Sequence, residues 1–117
     1  MSDPNPVCFI QIPAPDMNKA RAFYQRVFGW EISMLPDGMY AFYKDGRAGG
    51  ALCARSKPSD DGIRLFISAD DIPAKLKEIV AAGGEEVTPK TKISDEYGYF
   101  AFFRDSNGGK MGLWSKT

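Results

Sequence analysis

IPAPDMNKARAFYQRVFGW, residues 12–30, is the stretch that decides the fold. Pro13 and Pro15 end an apolar strand, Val7-Cys8-Phe9-Ile10-Gln11-Ile12, because proline offers no N–H to a ladder. Asp16 then stands where a helix needs an N-cap, with a carboxylate that can accept orphan backbone N–H groups. Ala20, Phe23, Tyr24, Val27 and Phe28 recur at helical spacing, while Lys19, Arg21, Gln25 and Arg26 fill the opposite face. Gly29 supplies the left-handed stop. Trp30, just beyond it, is expected to pack against the sheet.

Working outward, three short strands follow, over residues 31–35, 39–44 and 49–55. They are separated by the turn chemistry of Pro36-Asp37-Gly38 and the hairpin signal Asp45-Gly46. Residues 56–62 have neither period nor apolar content and read as a linker. The order then repeats. A strand over residues 63–69 leads to Asp70 or Asp71 as a cap, with Pro73 in the first turn, where a missing N–H is harmless. Ile72, Leu76, Ile79, Val80 and Gly83 follow the 3.6 period, and Gly83-Gly84 ends the helix. A short strand is expected over residues 85–89 and a polar loop over 90–97. An aromatic strand over 98–104, a turn at Asp105-Ser106-Asn107-Gly108-Gly109 and a last strand over 110–116 complete the unit. Asp16 and Asp71 stand 55 positions apart, each seven positions after Phe9 and Arg64 respectively. A fixed internal period of this kind signals duplication of one supersecondary unit. The expected organisation is one domain, 1–117, of α+β class, with βαβββ modules over about 7–55 and 63–116.

The 117 residues include 15 Lys plus Arg and 15 Asp plus Glu, so the formal net charge is zero. That balance lacks the footprint of a nucleic-acid binder and argues against attachment to an anionic membrane. No apolar run approaches the ~20 residues of a membrane helix, and the first residues lack a signal-peptide pattern. Cys8 and Cys53, without CxxC spacing, read as reduced small hydrophobes, which points to the cytoplasm. The chain has no histidine. A His-based metal site, a Ser/His/Asp triad and a Cys/His dyad are therefore excluded by composition.

Three groups of residues carry a family likeness: Ile12-Pro13-Ala14-Pro15-Asp16, Ala20-Arg21-Ala22-Phe23-Tyr24 and Val27-Phe28-Gly29-Trp30. They are echoed by Ser68-Ala69-Asp70-Asp71-Ile72, Ala81-Ala82-Gly83-Gly84 and Asp105-Ser106-Asn107-Gly108. With these the chain resembles the vicinal oxygen chelate superfamily, the glyoxalase/bleomycin resistance/dioxygenase fold. The resemblance implies two modules forming a curved mixed sheet around a cavity. It also implies four metal-ligand positions, which fall on Phe9, Ala51 (Gly50 if the register slips), Arg64 and Gly112. Phe, Ala and Gly side chains have no lone pair to offer, and guanidinium stays protonated. Gln11, two positions on from Phe9, offers one amide oxygen, and a divalent ion needs several donors. No metal and no other cofactor is expected, and no catalytic residue is assigned.

Strand parity puts Phe9, Gln11, Arg64, Phe66, Gly112 and Trp114 on the cavity side. Phe9, Gln11, Arg64, Phe66 and Trp114 are the expected ligand-binding residues. The competing reading is that the aromatics fill the cleft as core. Arg64 either pairs with an anionic ligand group or, as favoured, acts structurally, pairing with Asp or Glu of the chain or snorkelling to water at the strand's start, since a buried charge needs a partner. The faces of Tyr40, Phe42 and Tyr43, and of Tyr97, Tyr99, Phe100, Phe102 and Phe103, stay open without a register. Asp60-Asp61 and Glu85-Glu86 read as solvated charge. The resulting expectation is a metal-independent binder of a small hydrophobic or aromatic metabolite or antibiotic, working as a homodimer. The alternatives are a glyoxalase-like enzyme (lyase, isomerase or dioxygenase-related) with a non-standard site, or an interaction domain without ligand.

Overall fold

A computed structural model describes residues 9–46 and 49–117. Val7 and Cys8 of the expected first strand, and Arg47 and Ala48, lie outside the described residues. The first unit is β1 (Ile10–Pro13), α1 (Met17–Phe28), β2 (Glu31–Met34), β3 (Tyr40–Lys44) and β4 (Gly49–Cys53). The second is β5 (Phe66–Ser68), α2 (Ile72–Ala81), β6 (Glu85–Ser94), β7 (Gly98–Arg104) and β8 (Lys110–Ser115). Each unit makes a mixed four-stranded sheet, in the orders β1-β4-β3-β2 and β5-β8-β7-β6. The first and last strands of each unit pair in parallel, so the two topologies are identical.

The caps act as their chemistry requires. The Asp16 carboxylate accepts from Lys19 N–H at 3.1 Å and that of Asp71 from Ala74 N–H at 3.0 Å. Gly29 takes φ 69° and donates its N–H to the Gln25 carbonyl, closing α1. Each helix also caps the other: Lys75 Nζ donates to the Val27 carbonyl at 3.0 Å, and Arg26 to the Ala81 carbonyl at 3.3 Å. Cations at C-terminal carbonyls are favourable on dipole grounds as well.

One hydrophobic cluster spans both units. Phe23, Tyr24 and Val27 of α1 meet Ile72, Leu76 and Ile79 of α2, with Leu52 and Phe103 from the sheets. Trp30 is buried as expected, stacked 4.7 Å from Tyr24 and 4.5 Å from Tyr43. Val80, counted in the apolar stripe of α2, is instead exposed. The period at Ile72, Leu76 and Ile79 already fills the core face.

Two expected elements differ. β5 spans only Phe66–Ser68: the Leu65 carbonyl still accepts from Gly112 N–H of β8, and Arg64 before it holds the chain through its side chain, which donates to the Asp60 and Lys110 carbonyls. Ile63 is left 94% exposed. β6 continues through the stretch read as a polar loop. It pairs with β7 from Glu85↔Arg104 to Ser94↔Gly98 through three register shifts. Such bulges let an edge strand twist away, and polar side chains suit a strand with little buried face.

The turn after β7 locks the units together. Asn107 Oδ1 accepts from Asp16 N–H at 2.6 Å while its Nδ2 donates to the Asp16 carbonyl at 3.1 Å. Ser106 Oγ donates to the Lys19 carbonyl. Asp105 is buried, with Oδ2 accepting from the Tyr24 hydroxyl at 2.8 Å and Oδ1 from the N–H groups of Asn107 and Gly109.

Candidate functional site

Alternation divides each sheet into a face covered by helices and a face left open. In the first sheet Ile12, Ala41 and Leu52 are buried, and Gln11, Phe42 and Ala51 are register partners on the open face. Phe9 shares that face, 6.2 Å from Phe42 between ring centroids. In the second sheet Ala101, Phe103 and Leu113 are buried, while Phe66, Gly112 and Phe102 align across β5, β8 and β7, with Ser68, Trp114 and Phe100 beside them. The Phe66 and Phe102 rings lie 5.7 Å apart, and those of Phe100 and Phe102 5.3 Å. Trp114 is held by its indole N–H, which donates to the Tyr97 carbonyl at 2.7 Å. The register thus assigns Phe42, Phe100 and Phe102 to the open faces, and Tyr43 and Phe103 to the core.

These open faces keep large apolar rings in water. Phe9 is 45% exposed, Phe42 49%, Phe66 49% and Trp114 36%. They do not fill a core, the competing reading of the sequence. Phe66 lies directly over Gly112, where an added Cβ would come within 2.4 Å of the ring.

A cleft of about 700 Å³ runs between the unpaired edge of β1 and the segment leading into β5. Phe9, Gln11 and Arg64 line it together, with Ile63, Lys110 and Met111. Phe66 and Trp114 lie outside it, on the open face of the second sheet. A second hollow, about 810 Å³, adjoins Phe9, Trp30, Phe42 and Lys44 at the end of the first sheet.

Among the described residues Arg64 forms no ion pair with a carboxylate, the partner expected from sequence, though it acts on the Asp60 carboxylate without direct contact. Its donors go to backbone carbonyls, and its guanidinium carbon sits 5.9 Å from the Phe102 centroid. Asp60, read as solvated, instead grips Arg104 through both oxygens at 2.8 and 3.1 Å. That hydrogen-bonded pair holds the Asp60 carboxyl below its ordinary value. Sequence reasoning missed Lys110, whose ammonium stands 5.0 Å from the same Phe102 ring. Counting back through the β7–β8 turn from Trp114 places Phe102 opposite Gly112 and Lys110 two positions earlier on that face.

The chemistry of the donor set decides what the site can hold. Phe9, Ala51 and Gly112 offer no donor atoms, Arg64 is a cation, and Gly50 faces the core. Among the described residues no group of three or more His, Cys, Asp or Glu side chains is arranged to hold a metal ion. These residues do not fit a divalent ion. Nor do the buried hydroxyls serve as bases: burial pushes Tyr43 up to about 12 and Tyr24 well above its ordinary value. Both oxygens of Asp105 are committed to the turn and to Tyr24. Cys53 is a free, buried thiol.

Duplicated βαβββ units with open strand faces define a class of small α+β proteins. The chain belongs to the Glyoxalase/Bleomycin resistance protein/Dioxygenase superfamily, whose family model matches residues 7–111. Among curated proteins it is 27% identical over 115 residues to "Putative glyoxylase CFP32" of Mycobacterium tuberculosis, covering 91% of this chain and 44% of that protein. The chain thus spans less than half the length of this relative. It is 26% identical over 116 residues to a "Glyoxylase-like domain-containing protein" of Didymella fabae, covering 92% and 91%. Among solved structures it is similar to the fosfomycin resistance protein FosX of Listeria monocytogenes, with TM-score 0.79, 17% identity and coverage of 98% and 94%. No helix among the described residues is long and apolar enough to cross a membrane.

Proposed function

We propose that this chain is a small-molecule-binding protein that holds its ligand by ring stacking, shape and hydrogen bonds, without a metal ion. One observation carries the reading: Phe9, Phe42, Phe66 and Trp114 stand 36–49% exposed on strand faces turned away from the core. Exposed aromatic patches of this kind mark binding surfaces. Phe9, Gln11, Arg64, Phe66 and Trp114 are the ligand-contacting set, with Phe42 and Phe102 added by the register. Two copies pair, so that open faces of one subunit are covered by the other, and the protein works in the cytoplasm. The name of the Listeria protein, a fosfomycin resistance protein, agrees with a ligand of antibiotic size.

A second reading is a glyoxalase-like enzyme, favoured by the names of the curated relatives. Two measurements separate the readings. Metal analysis of protein purified without chelator is expected to give far less than one ion per chain; stoichiometric zinc, nickel, iron or manganese overturns the metal-free reading. Titration of tryptophan fluorescence with planar and amphiphilic metabolites is expected to show saturable quenching that weakens at least tenfold in Phe66→Ala. A flat response across the panel defeats the binding reading.

A further inference from the structure

We infer that the ligand is an anion: a planar aromatic acid whose ring lies against Phe9 in the β1–β5 cleft and whose acidic group is received by Lys110 and Arg64 of its lining. The inference rests on the small-molecule reading above and adds the charge of the ligand to it.

One end of the second sheet carries an excess of positive charge. Three cations, Arg64, Arg104 and Lys110, gather there; the Asp60 carboxylate feels all three, and Glu85 acts on Arg104. Both Asp60 oxygens are taken by Arg104. Arg64 and Lys110 are left facing the same Phe102 ring, at 5.9 and 5.0 Å from its centroid. Among the described residues neither forms an ion pair. Like charges drawn to one ring repel each other, and an anion placed between them relieves the repulsion.

The donors are also fixed in advance. Arg64 uses NH1 on the Lys110 carbonyl and NH2 on the Asp60 carbonyl, which hold the guanidinium plane, while the Asp60 carboxylate acts on it only without direct contact. Guanidinium carries five N–H donors, so several remain for a ligand. Lys57, also in the cleft lining, forms no ion pair among the described residues. Of the lining carboxylates, Asp105 turns inward to Tyr24, and Asp61, exposed like Lys57, forms no ion pair among the described residues. The apolar part of the cleft comes from Phe9, Ile12, Pro13, Ile63 and Met111. At about 700 Å³ the space suits a molecule of two or three fused rings.

The test is calorimetric titration with four ligands of one ring system: naphthoate, naphthyl phosphate, naphthylmethanol and naphthylmethylamine. Naphthoate or naphthyl phosphate is expected to bind about tenfold or more tighter than the alcohol, the effect of one charge-assisted hydrogen bond, with the amine weakest. The ratio of the two acids tells whether the acceptor is a carboxylate or a phosphate. Lys110→Gln keeps the backbone carbonyl that Arg64 uses, and is expected to bring the acids to the level of the alcohol without weakening the alcohol. Lys57→Gln, in an exposed loop, repeats the test with a smaller loss if the first variant misfolds. Equal affinity for acid, alcohol and amine overturns the inference and leaves the small-molecule reading standing. No binding by any of the four, with the protein shown folded, counts against both.

Discussion

At the scale of a single residue, Asp105 shows how a buried charge is tolerated and what it costs. Burial raises its pKa, while hydrogen bonds from Tyr24 and from the Gly109 and Asn107 amides lower it; burial wins. A carboxyl whose folded pKa lies above the unfolded value favours the protonated native state. Its contribution to stability is complete below the ordinary value of 3.8 and is lost as pH rises through the folded pKa. Asparagine at this position keeps Oδ1 for the two turn amides and turns an NH2 toward the Tyr24 oxygen. Asp105→Asn is therefore expected to gain in melting temperature relative to the parent as pH rises from 3.8 toward neutrality, with the two proteins converging in acid. Asp105→Ala orphans the Tyr24 hydroxyl and both amides, and is expected to lose about 2–4 kcal/mol at every pH in urea titrations. A parent whose stability rises faster with pH than that of Asp105→Asn contradicts this account.

At the scale of the element, two glycines that look alike in sequence differ in what surrounds them. A Cβ at Gly50 would meet the backbone oxygen of Ile10 and the Tyr43 hydroxyl, at 1.9 and 2.6 Å. The nearest atoms a Cβ at Gly112 would meet belong to the Phe66 ring, at 2.4 Å, and that half-exposed ring has room to swing into solvent. Gly50→Ala is expected to cost about 3 kcal/mol or more by forcing β1 off β4, whereas Gly112→Ala costs about 1 kcal/mol and displaces Phe66 from the binding face. Denaturant midpoints for the two variants, with ligand titration of the second, check both halves. The sequence carried α1 in full, because Asp16, the apolar stripe and Gly29 are local signals that tertiary packing does not override. It did not carry β6 beyond Pro89, because an edge strand with little buried face writes no alternation into its residues. The open-face parity of Phe9, Gln11, Phe66 and Trp114 was legible from spacing, but that of Phe42 and Phe102 needed a hairpin register. Arg64 was legible as a residue in want of a partner; that the partner is carbonyl oxygen depends on how the linker folds back, which no spacing encodes.

For the whole molecule, the question is what covers the open faces. The two sheets pack their buried faces into one core through α1, α2 and the Asp105–Asn107 turn, so the faces bearing Phe9, Phe42, Phe66 and Trp114 are the ones turned away. Under the proposed pairing a second copy supplies the matching apolar surface. Light scattering after gel filtration is expected to give twice the monomer mass. Phe42→Glu is chosen because its ring is half in water already, so the monomer fold is left intact. It is expected to weaken pairing at least tenfold, since a carboxylate then has to be desolvated at the interface. Its circular dichroism and melting temperature at low concentration should match those of the parent, which separates lost pairing from lost folding. A parent protein that stays monomeric at every soluble concentration, with the ring faces still in water, removes the pairing from the account and leaves the ligand alone to cover them.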